Sequence, residues 1–236
     1  MLQPSQVLLE DNHCLVVNKP GGLLTQGAPA GIPTLEAEVK AYLRDRYDKQ
    51  GRVYLGVVHR VDRPVSGVVL FTKQTKSTQR LSEQFRNRQV TKLYWAAVEG
   101  DVEADAGTWQ DWIRKVPNEP RAEVCSEEVQ DAKNATLRFR VLARDTGYTL
   151  LELEPQTGRY HQIRLQTAVR GHPVLGDELY GAKTTFGPLV DDPRDRIIAL
   201  HAKSLTFLHP IRYEPVTVEG PVPECWAILN LELKHD

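Results

Sequence analysis

One short stretch, VVHRVDRPVSGVVLFTK at 57–73, places ionisable side chains between two apolar runs. The valine, leucine and phenylalanine runs predict buried strands, so the charged residues between them either form a solvated turn or line a site. Arg60 lies two residues before Asp62, and Arg63 lies one residue after it. An arginine at hydrogen-bonding distance keeps a carboxylate ionised despite partial burial. Asp62 is therefore a candidate reactive carboxylate, and the alternative is an aspartate that accepts backbone N–H groups in a turn.

A second polar cluster, TGRYHQIRLQ at 157–166, follows a predicted strand. In a helix this segment would place His161, Arg164 and Leu165 on one side. Gly158 lets the backbone approach a ligand, and Arg159 and Arg164 add positive charge near the start of the helix. Taken alone, the cluster fits an ordinary amphipathic helix equally well.

Metal and cofactor chemistry are not indicated. Paired histidine and aspartate residues do occur, but no pair has the spacing of a helical HExxH site. The three cysteines are far apart and form no CxxC motif. The segment KPGGLLTQG lacks the spacing of a phosphate-binding loop. We expect no metal and no cofactor, and we expect the histidines at 172, 201 and 209 to hold loops by hydrogen bonds.

The elements that must position these residues follow from periodicity. Leu35, Val39, Leu43 and Tyr47 recur every four residues and predict one side of a helix. A second helix is predicted over 75–88, with Thr78, Leu81 and Phe85 facing inward, a third over 160–169, and a last one from Glu224. Strands are predicted over 7–10, 14–18, 53–58, 68–72, 92–100, 200–208 and 216–218. Segment 135–155 predicts a hairpin with its turn at Asp145, Thr146 and Gly147.

Adjacent pairs of strands with few helices between them argue against a doubly wound parallel sheet. They favour an α+β fold with a mixed, mainly antiparallel sheet flanked by helices and loops. Residues 107–128 have no regular pattern. Because no repeat, low-complexity tract or linker divides the chain, we expect a single domain over residues 1–236.

Composition excludes several classes of protein. The chain has 236 residues, with 30 lysines and arginines against 31 aspartates and glutamates, so net charge gives no reason to expect a nucleic-acid partner. No segment approaches the roughly 18 apolar residues of a membrane span, and no signal peptide is recognisable. We expect a cytoplasmic protein. A basic run between Lys73 and Lys92 contains six cations and one acid, which alone is typical of a solvated helix face.

Five segments taken in order resemble the successive motifs of the RluA-type pseudouridine synthases. They are VVHRVDRPVSGVVLFTK, LSEQFRNRQVTKLYWAAVEG, TGRYHQIRLQ, GHPVLGDELYGA and LHAKSLTFLHP, within about residues 16–210. The resemblance implies an enzyme that flips a uridine of rRNA or tRNA out of the RNA and isomerises it to pseudouridine, in an active-site cleft across the sheet. It also implies a reaction without cofactor or metal, which fits the absence of their motifs.

The resemblance assigns roles to individual residues. Asp62 matches the catalytic aspartate, acting either as nucleophile or as base. Arg164 matches the arginine that pairs with this aspartate, and Tyr94 matches the tyrosine that stacks on the flipped base. Arg60 matches the arginine that fills the space left in the RNA. His161 and Gln162 are expected to shape the pocket or the RNA path, and the basic run to contact phosphates.

Two residues differ from those common in the family, and the differences bear on which RNA is the substrate. Tyr160 stands where the family commonly has threonine or serine, and Gln166 stands where it commonly has histidine. Many relatives also carry an N-terminal S4 domain, whereas the catalytic pattern here begins at Val7, so we expect the catalytic domain itself to supply the affinity for RNA. We further expect a monomer without an obligate protein partner. A catalytically silent RNA-binding protein and a hydrolase are the alternatives.

Overall fold

The structure is a computed structural model that describes residues 2–27, 29 and 31–229. In chain order its strands are β1 (Val7–Glu10), β2 (Cys14–Lys19), β3 (Gly56–Val57), β4 (Ser66–Thr72), β5 (Thr91–Glu99), β6 (Ala106–Lys115), β7 (Ala122–Val124), β8 (Lys133–Asp145), β9 (Tyr148–Pro155), β10 (Leu200–Leu208) and β11 (Pro215–Glu219). The α-helices are α1 (Leu35–Arg46), α2 (Thr75–Arg86) and α3 (Gln162–Ala168).

These elements form two compact units. The first contains the chain up to Lys92 together with 192–195 and 202–223, and the second contains 93–191, 196–201 and the chain from Glu224. No helix among the described residues is both long enough and apolar enough to cross a membrane. Whether the two units act as the single domain expected from the sequence stays a prediction.

A sheet with the strand order β1-β2-β4-β10 organises the first unit, with β3 paired to β4 and β11 paired to β10. Every residue of β4 is buried, which explains its unbroken apolar run. Helix α2 adds Leu81 to a core that contains Val16, Val68, Leu70 and Phe207. The core therefore fixes β4, which follows the segment around Asp62, and Val58 at the start of that segment packs against the same core.

Five strands in the order β5-β9-β8-β6-β7 organise the second unit. Each of the four neighbouring pairs is antiparallel. The predicted hairpin is the β8–β9 turn, where Asp145 faces Tyr148 and Gly147 has φ +88°. The α+β fold with a mainly antiparallel sheet is confirmed.

Several predicted boundaries were wrong, each for a local reason. The strand expected over 53–58 is reduced to Gly56–Val57, and the irregular region 107–128 contains β6 and β7. Helix α1 buries Leu35, Val39 and Leu43 as predicted, but it ends at Arg46, so Tyr47 is exposed. The segment from Glu224 is a 3-10 helix that ends at Leu229.

The two other helices also differ from prediction. Helix α2 ends at Arg86; Leu81 is buried and Phe85 packs against the same core, as predicted, and the other buried residues are Ser77 and Gln84. Helix α3 begins at Gln162 because His161 adopts a left-handed conformation with φ +51°. A left-handed residue cannot continue a right-handed helix, so the predicted start at Tyr160 is too early.

Gly67 in β4 provides a test of this packing. Its φ is +115°, and a Cβ atom there would lie 2.3 Å from the carbonyl oxygen of Ala202. We predict that Gly67→Ala lowers the free energy of unfolding by about 2–4 kcal/mol, since it adds a clash with backbone to the conformational strain. Urea denaturation measures this change.

Gly51→Ala is the matched control, because Gly51 also has a positive φ (+91°) but open space around its Cβ position. It isolates the conformational cost, about 1 kcal/mol. Equal losses in the two variants would show that the contact with Ala202 does not constrain β4.

Candidate active site

The loop 58–65 between β3 and β4 carries Asp62, which is half-buried. Val61 and Val65 on either side of it are buried. The Val65 N–H donates to the Asp62 carbonyl oxygen at 3.2 Å, and the Thr25 hydroxyl donates to the Val61 carbonyl oxygen at 2.9 Å. Apolar anchors and backbone hydrogen bonds therefore hold the main chain of Asp62 from both sides.

Arg63 provides a further tether. Its Nε donates to the Gly22 carbonyl oxygen at 2.8 Å, and the Gly22 N–H donates back to the Arg63 carbonyl oxygen at 2.8 Å. Its Nη2 also pairs with Asp195 at 3.0 Å. The guanidinium of Arg63 thus ties the loop to Gly22 and Asp195, which is a structural role that the sequence did not indicate.

Lys19, at the end of β2, lies buried against the same loop with 1% of its surface exposed. Its Nζ donates to the carbonyl oxygens of Leu23 at 2.7 Å, Pro20 at 2.8 Å and Arg63 at 3.2 Å. A protonated lysine has three N–H donors, so the three carbonyls match the ammonium form. Lys19 is the site residue that sequence reasoning missed.

The charge of Lys19 depends on Asp62. Burial lowers the pKa of Lys19 to about 7, while the negative charge of Asp62 opposes that shift. The interaction is reciprocal, because a cation that an anion stabilises also stabilises that anion. Lys19 therefore supplies the positive charge near Asp62 that the sequence had led us to expect from the flanking arginines.

His59 fixes the start of the loop. Its Nε2 accepts the Leu70 N–H at 2.9 Å, and its ring stacks on Phe85 with centroids 4.8 Å apart. Burial, together with the positive charge of Lys92, lowers the pKa of His59 to about 3. The imidazole is accordingly neutral, and Nε2 carries a lone pair rather than a proton.

Arg164, in the second unit, lies buried on α3. Its Nε and Nη2 donate to the two carboxylate oxygens of Asp177 at 2.6 and 2.7 Å, and its guanidinium lies over the Tyr180 ring. Such a bidentate pair fixes the plane of the guanidinium. Asp177 is therefore the residue that orients Arg164, a role that the sequence did not indicate.

The protonation state of His161 follows from its contacts. Arg164 Nη1 lies 3.1 Å from His161 Nε2, and a guanidinium can only donate, so Nε2 accepts and the proton of the neutral ring is on Nδ1. Nδ1 lies 3.0 Å from the Tyr180 hydroxyl, which also accepts the Ala122 N–H at 2.8 Å. Burial raises the pKa of Tyr180 to about 12, so this phenol stays neutral.

Gln162 forms hydrogen bonds within the second unit. Its side-chain oxygen accepts from the Thr157 hydroxyl at 2.7 Å and from the Arg159 N–H at 3.0 Å. Its side-chain nitrogen donates to the Thr136 carbonyl oxygen at 3.0 Å. Gln162 therefore holds the segment that leads into α3, which fits a role in shaping the pocket better than direct contact with substrate.

The two remaining predicted residues are Tyr94 and Arg60. Tyr94 is half-buried in β5, where it faces Leu153 of β9. Arg60 is exposed. Asp62 and Arg60 belong to the first unit, whereas Tyr94, His161, Gln162 and Arg164 belong to the second. The pairing of Asp62 with Arg164 stays a prediction.

The basic run splits into two groups. Lys73 pairs with Glu10 at 3.0 Å, and Arg80 donates to the Pro210 carbonyl oxygen at 2.6 Å. Lys92 is half-buried, and burial followed by the charge of Arg88 lowers its pKa. The exposed cations of the run are Lys76, Arg86 and Arg88.

One group of side chains has the proximity of metal ligands, namely Asp11, Cys14 and His209. His209 Nδ1 accepts the N–H groups of Ile211 and Arg212 at 3.2 and 3.0 Å, so Nε2 carries the proton that it donates to Asp11 at 2.8 Å. Burial raises the pKa of the Cys14 thiol to about 12. His209 and Asp11 are thus joined by a structural hydrogen bond, Asp11 also accepts the backbone N–H of Cys14 at 2.7 Å, and the loop-holding role expected of His209 is confirmed.

Comparison with known proteins places the chain in a family. The family model described as RNA pseudouridylate synthase matches residues 13–169, more than half of the chain. Dual-specificity RNA pseudouridine synthase RluA of Vibrio vulnificus is 35% identical over 215 residues, covering 87% of this chain and 78% of the relative. Ribosomal large subunit pseudouridine synthase D of Xylella fastidiosa is 35% identical over 242 residues, covering 99% of this chain and 70% of the relative.

Solved structures agree on the fold. Human RNA pseudouridylate synthase domain containing 4 superposes with a TM-score of 0.78 at 22% identity, covering 98% of this chain and 95% of that one. The chain therefore belongs to the RNA pseudouridylate synthase family, and it is an RNA pseudouridine synthase of the RluA type. The sequence resemblance is confirmed.

The role of Lys19 can be tested by replacing it with methionine. Three partly buried hydrogen bonds from a charged donor are then lost, at about 1.5–3 kcal/mol each. We predict that Lys19→Met lowers the free energy of unfolding by at least about 3 kcal/mol in urea denaturation. Lys76→Met, at an exposed lysine of α2, is the control and should change it by less than about 0.5 kcal/mol. Similar small effects in both variants would remove Lys19 from this role.

The neutral His59 predicts a pH dependence of stability. Between the ordinary pKa of about 6.5 and the lowered pKa of about 3, the unfolded chain binds one more proton at this residue than the folded chain. The stabilisation present above pH 6.5 is lost as the pH falls, at up to about 1.4 kcal/mol per pH unit. Urea denaturation between pH 7 and 5 should show a shallower decline for His59→Gln than for the unsubstituted protein. Parallel declines would contradict the assignment.

Proposed function

We propose that Asp62 is the carboxylate that acts on the ribose of a flipped uridine in rRNA or tRNA. The observation that carries this proposal is the position of Asp62 on a loop tied from both sides, half-buried, with the buried Lys19 favouring its anionic form. One relative is named a dual-specificity RNA pseudouridine synthase, and another is named a pseudouridine synthase of the ribosomal large subunit. These relatives make rRNA the first substrate to test.

The chemistry requires little beyond a positioned anion. Isomerisation breaks the N1–C1′ bond, turns the uracil, and forms a C5–C1′ bond, while the proton on C5 is lost and N1 gains one. Atoms and electrons balance within the substrate, so neither oxidant nor energy input is needed. An ionised Asp62 can serve as nucleophile at C1′ or as base toward the neighbouring sugar proton.

Other residues complete the proposal. Tyr94 stacks on the flipped base, Arg164 pairs with Asp62, and Arg60 occupies the space left in the RNA. Arg164 is suited to this because Asp177 already uses two of its nitrogens and fixes its orientation. His161 and Gln162 hold the pocket wall, and the exposed Lys76, Arg86 and Arg88 contact phosphates. We also propose a cytoplasmic monomer that needs no protein partner.

Replacing Asp62 tests the central assignment. We predict that Asp62→Asn, which keeps the shape but removes the charge, lowers pseudouridine formation by at least about 10⁴-fold, while the fold and RNA binding are retained. Release of tritium from transcripts of large-subunit rRNA and tRNA labelled at C5 of uridine measures the reaction.

Asp45→Asn is the matched control, because Asp45 is an exposed aspartate on α1. It should retain full activity. Full activity in Asp62→Asn would exclude the proposed role, and loss of activity on treatment with a chelator would favour a metal-dependent hydrolase instead. RNA binding by the unsubstituted protein without any conversion would favour a silent RNA-binding protein.

A further inference from the structure

A cleft of about 510 Å³ opens in the second unit, lined by 113–118, 131, 133 and 158–160. Its ionisable lining residues other than Tyr160 are the cations Arg114, Lys115, Lys133 and Arg159 and the acid Asp131, a formal charge of four minus one, or +3. The whole chain has a net charge of −1. The cleft is therefore locally positive in a chain that is close to neutral overall.

Two of the four cations are held by contacts with neighbouring residues, and the other two are exposed. Arg114 pairs with Glu123 at 2.7 Å, and Arg159 Nε donates to the Asn134 carbonyl oxygen at 2.9 Å. Lys115 and Lys133 are exposed, and within the described part of the chain neither makes an ion pair. Lys115 Nζ lies 5.5 Å from the centroid of the Tyr160 ring, so this ammonium stands over an aromatic wall of the cleft.

The cleft is continuous in sequence with the candidate pocket. Gly158, Arg159 and Tyr160 line it, and His161 and Arg164 follow in the same segment. Tyr160 stacks on His161 with ring centroids 3.9 Å apart, so the aromatic wall of the cleft packs directly on a residue of the pocket. A ligand in the cleft would thus lie next to the residues that surround the guanidinium of Arg164.

We infer that this cleft binds the phosphodiester backbone of the RNA substrate beside the target uridine. The inference rests on the proposed function and assigns a binding surface to it. A concave surface with a formal charge of +3 attracts a polyanion, and flexible lysines beside fixed arginines suit phosphates whose spacing varies. The exposed Gly158 adds no side chain to the wall, which lets a sugar–phosphate chain approach the backbone.

The test is the salt dependence of RNA binding by Lys115→Ala/Lys133→Ala. Each phosphate contact contributes about 0.7 to the slope of log K against log salt for single strands. Loss of two contacts should make the slope shallower by about 1.4, so between 50 and 200 mM salt the unsubstituted protein loses roughly sevenfold more affinity than the variant. Fluorescence anisotropy with a 12-nucleotide oligouridylate measures this.

Arg138→Ala/Arg140→Ala is the control, because both arginines are exposed on β8 and the net charge changes by the same two units. Its slope should match that of the unsubstituted protein. An unchanged slope in the cleft variant, or an equal change in the control, would overturn the inference.

The two proposals fail in different ways. An active enzyme whose RNA binding does not depend on Lys115 and Lys133 contradicts the cleft alone. A protein that binds oligouridylate through the cleft but converts no uridine in any transcript contradicts the proposed function alone. Binding of a polyglutamate peptide at the cleft, with RNA binding unaffected by the substitutions, would identify an acidic protein partner and overturn the inference.

Discussion

The buried ammonium of Lys19 is the interaction on which the first unit depends. A cation without contact to water is costly unless it is paired and hydrogen-bonded. Here Pro20, Leu23 and Arg63 supply the acceptors, and Asp62 supplies the charge. The same contacts that make burial of the lysine tolerable therefore determine where the loop and its carboxylate lie.

The second unit also contains a buried cation that is held in place by its partners. Arg164 is buried, and its ion pair with Asp177 leaves its remaining nitrogen beside the neutral ring of His161. A buried pair of this kind contributes more to a defined orientation than to net stability, because desolvation offsets most of the attraction. Each unit thus holds one charged group in a fixed orientation, at a cost in desolvation free energy.

Much of this arrangement was predictable from the sequence, and the rest was not for physical reasons. The apolar run of β4, the face of α1 and the hairpin at Gly147 follow from periodicity and turn chemistry. Lys19 and Asp177 escaped notice because their partners are backbone carbonyls or a distant arginine, which no local spacing reveals. Strand β6 escaped notice because several of its outward residues are half-buried, so its alternation of burial is weak. The left-handed His161, which delays the start of α3, carries no residue-type signal such as glycine would give.

The tethers of the loop also bear on the order in which the chain folds. Thr25 and Val61, Gly22 and Arg63, and Arg63 and Asp195 are 36, 41 and 132 residues apart in sequence. Contacts between such remote positions close large segments of chain. They form late because the entropy cost of closing the segment is incurred before the contact stabilises the fold. Under the proposed role of Asp62, activity would consequently be one of the last properties to emerge during folding, and its appearance after synthesis would report completed folding rather than early collapse.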